Sequence, residues 1–482
     1  MHDINVIQYQ SMDSIEAGEW DSIVDDEEIY NTHAYLWAIE HSGVNDLCYY
    51  YLTFYQHAKL IAHASVSVFI FGLDIMIKGA AGEYVDRIKR TFPRFLQIKL
   101  IECGHPTTLG SSIVFADVSP ETAAQVLLTL DTELAQVAKK EKTSLIAVRD
   151  VYSSRLSEYS SLRQSGYGVV PNMANTLLRI YQASFQEYLD DLVAKRRREI
   201  VHRMHVFEEQ GCVVEKIHDF ADIADVLEEL WRMTYVRAKE YQREVLNAAY
   251  FRNLSDALGD KSFVLLCKKA GRPIGFTMLI ESGVTLISTY CGLDYTYNRS
   301  TYSYFVLFYR SIREAIELRM AWLELGVTNY NPKIEIGAVP EPMYIYARST
   351  RRLLNSVLIP ILKAADAPPD YNKRRVFNNR YYERHPIHDN IEVDVGGQIH
   401  RLTDLSVEGM GTTCSEKPRR KKAAIRVGIS DGLFILLSGR LRASERIEGG
   451  VWHAGYAVEP MSPDHRPLWY ELVGRYAADA TN

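Results

Sequence analysis

The 482-residue sequence predicts two α+β domains, each a mixed sheet flanked by helices, followed by a small all-β domain. Three observations carry this reading. Helical and strand-like apolar periods alternate up to about residue 360, the segment DAPPD (366–370) interrupts them, and beyond it only strand-like runs recur until a short final helix. A chain this long exceeds what one hydrophobic core can fill, so more than one domain is expected on size alone.

Hydrophobic residues at 47% and charged residues at 24% describe an ordinary globular composition. The net charge of -6 gives no overall pull toward DNA or an anionic membrane, so any basic site must be local. The six cysteines are scattered without metal-ligand spacing, so free thiols, no metal site and a reducing compartment are expected. The N-terminus lacks a secretory pattern, and the apolar run Leu60 to Ile77 is broken by His63 and Asp74. That run reads as a strand rather than a membrane span, and the expected location is the cytoplasm.

Residues 1–183 open with a helix near His33–Glu40 and the strands CYYYLTFY and LIAHASVSVFIF. The helix ETAAQVLLTLDTELAQVAKKEK, the strand SLIAVRD and the closing run ANTLLRIY follow. Ser184 and Glu187 stand at capping-box spacing, and Leu189, Leu192, Val193, Ile200, Met204 and Phe207 predict one long helix beyond them. Its basic run, Lys195 to Arg198, reads as a solvated or polyanion-facing side. A helix from Asp222 to Tyr241 precedes three strands, SFVLLCK, IGFTMLIE and VTLISTYC, joined by turn residues. A helix around Phe305, Phe308, Ile312 and Ile316 then leads to the strand AWLEL.

In the C-terminal region, Arg380 and Arg384 stand four apart, and Asp404-Leu-Ser406-Val-Glu-Gly409 follows one strand later. This order, RxxxR then DxSxxG then a β-rich tail, resembles the PilZ family of cyclic di-GMP receptors. The resemblance implies a small β-barrel over 385–482, preceded by a basic linker over 366–384. Arginine can fork onto phosphate oxygens and stack on guanine, which suits Arg380 and Arg384 to such a ligand. Asp404 and Ser406 would bond guanine edges or order the turn, and Gly409 would allow close approach. Asn379, just before the first arginine, leaves the ligand stoichiometry open.

Residues 184–365 resemble the acyltransferases of the GNAT superfamily, in the branch shared by CelD-like and FemAB-like proteins. The features are the helix EYLDDLVAKRRREIVHRM, the hairpin LLCKKAGRPIGFTML, the stretch from Tyr297 to Gly326, and Lys333. Residues 1–183 resemble the N-terminal half of the same proteins, which implies tandem GNAT-like domains. The resemblance implies transfer of an acyl group from a thioester, with acyl-CoA as co-substrate, to an amine or hydroxyl. The acceptor would be an envelope, exopolysaccharide or lipid precursor. The donor's pantetheine arm would add beside VTLISTYC, with its pyrophosphate near Arg299, Ser300 and Thr301 at a helix start. Tyr290, Asp294, Tyr302, Glu324 and Lys333 are the candidate acids and bases. The Gly-rich pyrophosphate loop is missing, since no second glycine lies between Gly292 and Tyr304. Acyl-carrier protein and aminoacyl-tRNA are therefore alternative donors, and a non-catalytic docking role is a third reading.

Overall fold

The computed structural model describes residues 4–72, 97–238, 244–351 and, between short gaps, much of 376–476. Its contacts divide the chain into two units, one of residues 1–151 and 160–378, the other of 379–482 with the segment 152–159.

The first unit holds two mixed sheets. One contains β1 (Asn5–Tyr9), β2 (Cys48–Gln56), β3 (Lys59–Gly72), β4 (Gln97–Cys103), β5 (Ile113–Phe115), β6 (Leu145–Tyr152) and β7 (Gly168–Pro171). The other contains β8 (Asn175–Arg179), β9 (Cys212–Ile217), β10 (Ser262–Lys269), β11 (Arg272–Ser282), β12 (Thr285–Leu293), β13 (Trp322–Glu324) and β14 (Val339–Glu341), in the order β14-β8-β13-β12-β11-β10-β9. The two halves exchange strands: β15 (Met343–Ser349) lies between β6 and β7, while β8 sits inside the second sheet. The expected division at 183/184 therefore corresponds to no break between the sheets.

A shared core explains why the two halves cluster together. Trp20, Tyr35, Leu36 and Ile39 pack in one cluster with Leu227, Phe251, Phe276 and Met278, all buried. The helix α1 (His33–His41), capped by Thr32, supplies Tyr35, Leu36 and Ile39 from the N-terminal half. The helices α2 (Ala224–Arg237) and α3 (Ala248–Leu258) supply Leu227 and Phe251 from the second half. Gly292 shows how tightly α2 lies on β12, because a Cβ there would come within 2.5 Å of the Leu230 and Trp231 backbone.

The helix expected from Ser184 is two helices. Ser184 does cap the first, Phe185–Asp191, accepting from the Glu187 N–H at 3.1 Å, and Glu187 accepts in return from the Ala183 N–H at 2.9 Å. Leu192 and Val193 are extended, however, before the helix resumes at Ala194. A tertiary pairing outweighs helix propensity there, because Leu192 bridges Phe377 and the Val193 N–H donates to the Val376 carbonyl at 2.9 Å. Within the basic run, Arg196 is buried and pairs with Glu199 at 2.7 Å and Glu335 at 3.3 Å, so this part of the run is not solvated.

The second unit is a closed barrel of six antiparallel strands: β17 (Glu392–Val395), β18 (Gln398–Ser406), β19 (Gly409–Cys414), β20 (Lys422–Ser430), β21 (Leu433–Arg446) and β22 (Trp452–Pro460). Closure comes from the β18–β19 pairing, and the short β16 (His385–Pro386) adds outside β18. Val393, Leu402, Ile425, Leu437, Tyr456 and Trp469 belong to its core. No helix among the described residues is long and apolar enough to cross a membrane.

Candidate active site

β12 and β13 run parallel, but they pair only over Thr285–Ile287 against Trp322–Glu324. Beyond Ile287, β12 continues to Leu293 bonded, among the described strands, to β11 alone, so the sheet splits open. A register shift against β11 falls at the split, opposite Thr289 and Tyr290. Such bulges turn side chains away from the regular alternation. The other lip is Gly326 to Asn329, where Gly326, Thr328 and Asn329 all take positive φ. For β-branched Thr328, at φ 78°, this is a strained conformation of the kind concentrated at functional sites.

A cavity of about 250 Å³ occupies this split. Its walls are Ser288–Cys291 from β12, Leu325–Asn329 from the opposite lip, and Tyr304, Leu307 and Phe308 from the helix α4 (Ser303–Glu317). Pro106 to Leu109 enter from the N-terminal half, and Trp231, Thr234 and Tyr235 from α2. Lys333 reaches it from the short helix Tyr330–Glu335.

Lys333 is buried, and its Nζ donates to the Gly326 carbonyl at 2.9 Å. Burial pulls its pKa down to about 7, against the opposing pull of Cys291 and Glu324. Glu324 closes β13 and is buried; desolvation pushes its carboxyl up to about 7, although a hydrogen bond with Asn175 and the charge of Lys333 both pull it down. Among the described residues Lys333 lines the cavity and Glu324 does not. Burial likewise lifts the Cys291 thiol to about 11, with Lys333 opposing.

The remaining expected residues separate. The Tyr290 hydroxyl lines the cavity and donates to Glu244 at 3.0 Å; burial, and then Glu244, hold it well above the ordinary tyrosine range, so it stays protonated. Asp294 is instead the N-cap of the helix Tyr295–Thr301, accepting from the Thr296 N–H at 3.0 Å and from Arg272 at 3.2 Å. Tyr302 is the left-handed residue between that helix and α4, and neither it nor Asp294 lines the cavity. Arg299 and Ser300 are exposed, whereas Thr301 is fully buried, its hydroxyl donating to the Tyr297 carbonyl at 3.0 Å. The expected helix start thus lies at Ser303, where Asn298 already accepts from the Tyr304 N–H at 2.9 Å.

In the barrel, Asp404 and Ser406 end β18 and Gly409 opens β19. The Ser406 hydroxyl donates to the Gly409 carbonyl at 3.3 Å, which orders the turn. The Asp404 carboxylate packs on Gly411, where a Cβ would stand 1.9 Å from Oδ2. Arg380 and Arg384 lie outside the described residues. Among the described residues no group of His, Cys, Asp or Glu could hold a metal ion.

Sequence reading missed Glu244, Trp231, Tyr235 and the Pro106–Leu109 turn. All precede β12 by many residues, Glu244 standing 46 before Tyr290, and no local pattern links them to that strand.

The chain is 28% identical over 320 residues to a Mycobacterium tuberculosis protein named 8-amino-7-oxononanoate synthase 2, covering 65% of this chain. It spans only 41% of that relative's length. Among solved structures, FemX matches with 12% identity over 74% of this chain and all of its own, at a TM-score of 0.46. A tandem GNAT protein from the clavulanic acid biosynthesis pathway matches with 8% identity over 72% of this chain and 98% of its own, at a TM-score of 0.40. Residues 99–372, which contain β12, β13, Glu324 and Lys333, match the FemAB-like family, described as acting in peptidoglycan biosynthesis or recognition, and the chain belongs to that family.

Proposed function

We propose that this chain moves an acyl or aminoacyl group from an activated carrier onto an amine or hydroxyl at the split between β12 and β13. The observation that carries the reading is Lys333, buried in the cavity wall with a depressed pKa and Glu324 nearby in charge. As the acceptor's nitrogen or oxygen bonds to the donor carbonyl carbon, a neutral Lys333 takes the released proton. The resulting ammonium steadies the oxyanion, then returns the proton to the leaving sulfur or oxygen as its bond to carbon breaks. When ionised, Glu324 favours that ammonium by its charge.

The free edge of β12 would suit the strand-like pantetheine arm of acyl-CoA or acyl-carrier protein. An aminoacyl-tRNA donor is favoured by a separate observation: the first-turn N–H of Tyr304 is already bonded to Asn298, which weakens the case for a pyrophosphate there. The family description supports an envelope precursor as acceptor. Incubating the purified chain with radiolabelled acyl-CoA or charged tRNA and a mixed pool of amine acceptors tests the reading. Label transfer that Lys333→Met abolishes supports it, and no transfer from either donor rejects catalysis in favour of a docking role.

For the barrel we propose cyclic di-GMP binding that regulates transfer, with Arg380 and Arg384 on the phosphates and Asp404, Ser406 and Gly409 beside the guanines. The six-strand closure and the Asp404–Gly411 packing support this. Calorimetry on the full chain decides, and unchanged affinity in both Arg380→Ala and Arg384→Ala overturns it.

A further inference from the structure

We infer that Phe377 is a positioning residue for Lys333: its ring, seated on Gly337, closes the end of the short helix that carries the lysine to the cavity. That Lys333 acts in transfer rests on the transferase reading; that Phe377 sets its place does not.

The helix Tyr330–Glu335 is too short to hold itself. Six residues stand well below the roughly 12–15 at which an isolated helix is even marginal in water, and its N-cap, Asn329, makes no side-chain capping bond. The turn at its other end therefore matters more. There the Ala338 N–H donates to the Lys333 carbonyl and the Gly337 N–H to the Ile334 carbonyl, both at 3.0 Å. This is the Schellman arrangement, and Gly337 takes the left-handed conformation it needs, with φ 98°. The backbone of Lys333 is thus bonded into the turn that Gly337 makes.

Three groups from other segments hold that turn. The Phe377 ring lies on the open face of Gly337, where a Cβ would stand 2.1 Å from its Cε2 and 2.3 Å from its Cζ. The Tyr188 hydroxyl donates to the Ile336 carbonyl at 2.8 Å, and Arg196 pairs with Glu335 at 3.3 Å. Phe377 is itself fixed. It bridges Leu192, the Val376 carbonyl before it accepts from the Val193 N–H at 2.9 Å, and the Tyr188 ring meets it edge-on at 6.2 Å. The extended Leu192 and Val193 make this seat, since an unbroken helix would keep the Val193 N–H in its own ladder. Leu192 and Val376 are fully buried, so the seat is shielded from water.

Plain packing also buries phenylalanines. What singles out Phe377 is where its contact falls: on the glycine four residues beyond Lys333, in the turn that bonds the lysine's own carbonyl. Residues 376–378 are also the last of the first unit, so the point where the chain leaves that unit is tied to the proposed acid–base group.

The decisive measurement needs neither donor nor acceptor. Competitive labelling of the full chain with acetic anhydride over a range of pH, read by peptide mass spectrometry, gives the titration midpoint of Lys333 beside those of the exposed lysines. Burial, opposed by Cys291 and Glu324, sets that midpoint at about 7. With the ring gone the turn loosens and water reaches the ammonium. Phe377→Ala should therefore raise the midpoint by at least about one pH unit toward the ordinary 10.5, while the exposed lysines keep theirs. Gly337→Ala should raise it too, because the new Cβ displaces the ring, and Phe377→Leu should restore most of the shift by refilling the seat. Leu134→Ala opens a cavity in the helix Pro120–Lys140 and should leave the midpoint unmoved, which separates positioning from a general loss of stability. Circular dichroism confirms that each variant folds. In the transfer assay, Phe377→Ala should lower kcat at least about tenfold with KM within about twofold. A midpoint unchanged in both Phe377→Ala and Gly337→Ala, one moved equally by Leu134→Ala, or one already near 10.5 in the unaltered chain overturns the inference. A shifted midpoint in a chain that transfers nothing keeps it and loses the transferase reading.

Discussion

The Lys333 Nζ donates to the Gly326 carbonyl at 2.9 Å, across the loop that forms one lip of the split sheet. Gly326 has φ 72° and is followed by Thr328 and Asn329 at 78° and 46°, so the lysine is tied to the most strained turn of the site. One side chain thus both lines the cavity and holds the backbone that shapes it.

Replacing Lys333 by Met should lower kcat by at least about a hundredfold, the usual scale for removing a positioned acid or base. Because a buried amine costs desolvation, folding stability should change little or rise slightly. A urea titration beside the transfer assay separates the two effects. A loss of activity matched by a loss of fold would instead mark Lys333 as structural.

Glu324→Gln should flatten the acid side of the stability profile. The folded carboxyl keeps its proton up to about 7, whereas its ordinary value is 4.5. Between those values the folded state binds more protons, so Glu324 makes stability fall as pH rises from about 4.5 to about 7. Glutamine removes that slope, worth on the order of 1–3 kcal/mol across the window. Urea midpoints at pH 5 and pH 7.5, taken for both proteins, measure it. Parallel profiles would show that Glu324 titrates normally.

Arg149 presents a second buried charge cluster, in the first sheet. Its guanidinium stands 2.7 Å from Asp150 and 3.6 Å from Glu102, and it donates to the His105 carbonyl at 2.9 Å. Arg149→Met should cost about 3–5 kcal/mol, because it strips buried carboxylates of their shared counter-charge. Arg149→Met combined with Asp150→Asn should recover part of that loss. A double-mutant cycle in urea reads the coupling directly.

Gly411→Ala should disturb the barrel motif at Asp404. The new Cβ would drive the Asp404 carboxylate out of place, since it would stand 1.9 Å from Oδ2. Calorimetry should show cyclic di-GMP affinity falling at least about tenfold, with a melting temperature lowered by a few degrees. Unchanged affinity would remove Asp404 from the ligand site.

Much of this was legible along the chain. VTLISTYC was expected as a strand, and Thr285–Leu293 is that strand, pairing with β13 over Thr285–Ile287. Ser184 caps a helix as its spacing indicated, and the SLIAVRD and ETAAQVLL elements stand where their periods put them. Asp294 and Tyr302 were legible as polar groups near β12 but not as a cap and a helix junction, because those roles depend on Thr296, Arg272 and Asn298 in three dimensions.

By itself, then, the sequence determined the alternation of helix and strand and the Ser184 cap, and it offered Glu324 and Lys333 as candidates for chemistry. These are short-range properties, written in periods of two and 3.6 and in spacings of a few residues. Tertiary structure alone decided that β15 crosses to the first sheet, that Leu192 leaves its helix to meet Phe377, and that Glu244 faces Tyr290. It also decided that Lys333 and Glu324 lose their water and shift toward neutrality. The physical reason is that burial and pairing are set by neighbours distant in sequence, and no local pattern encodes which distant segment will exclude the solvent.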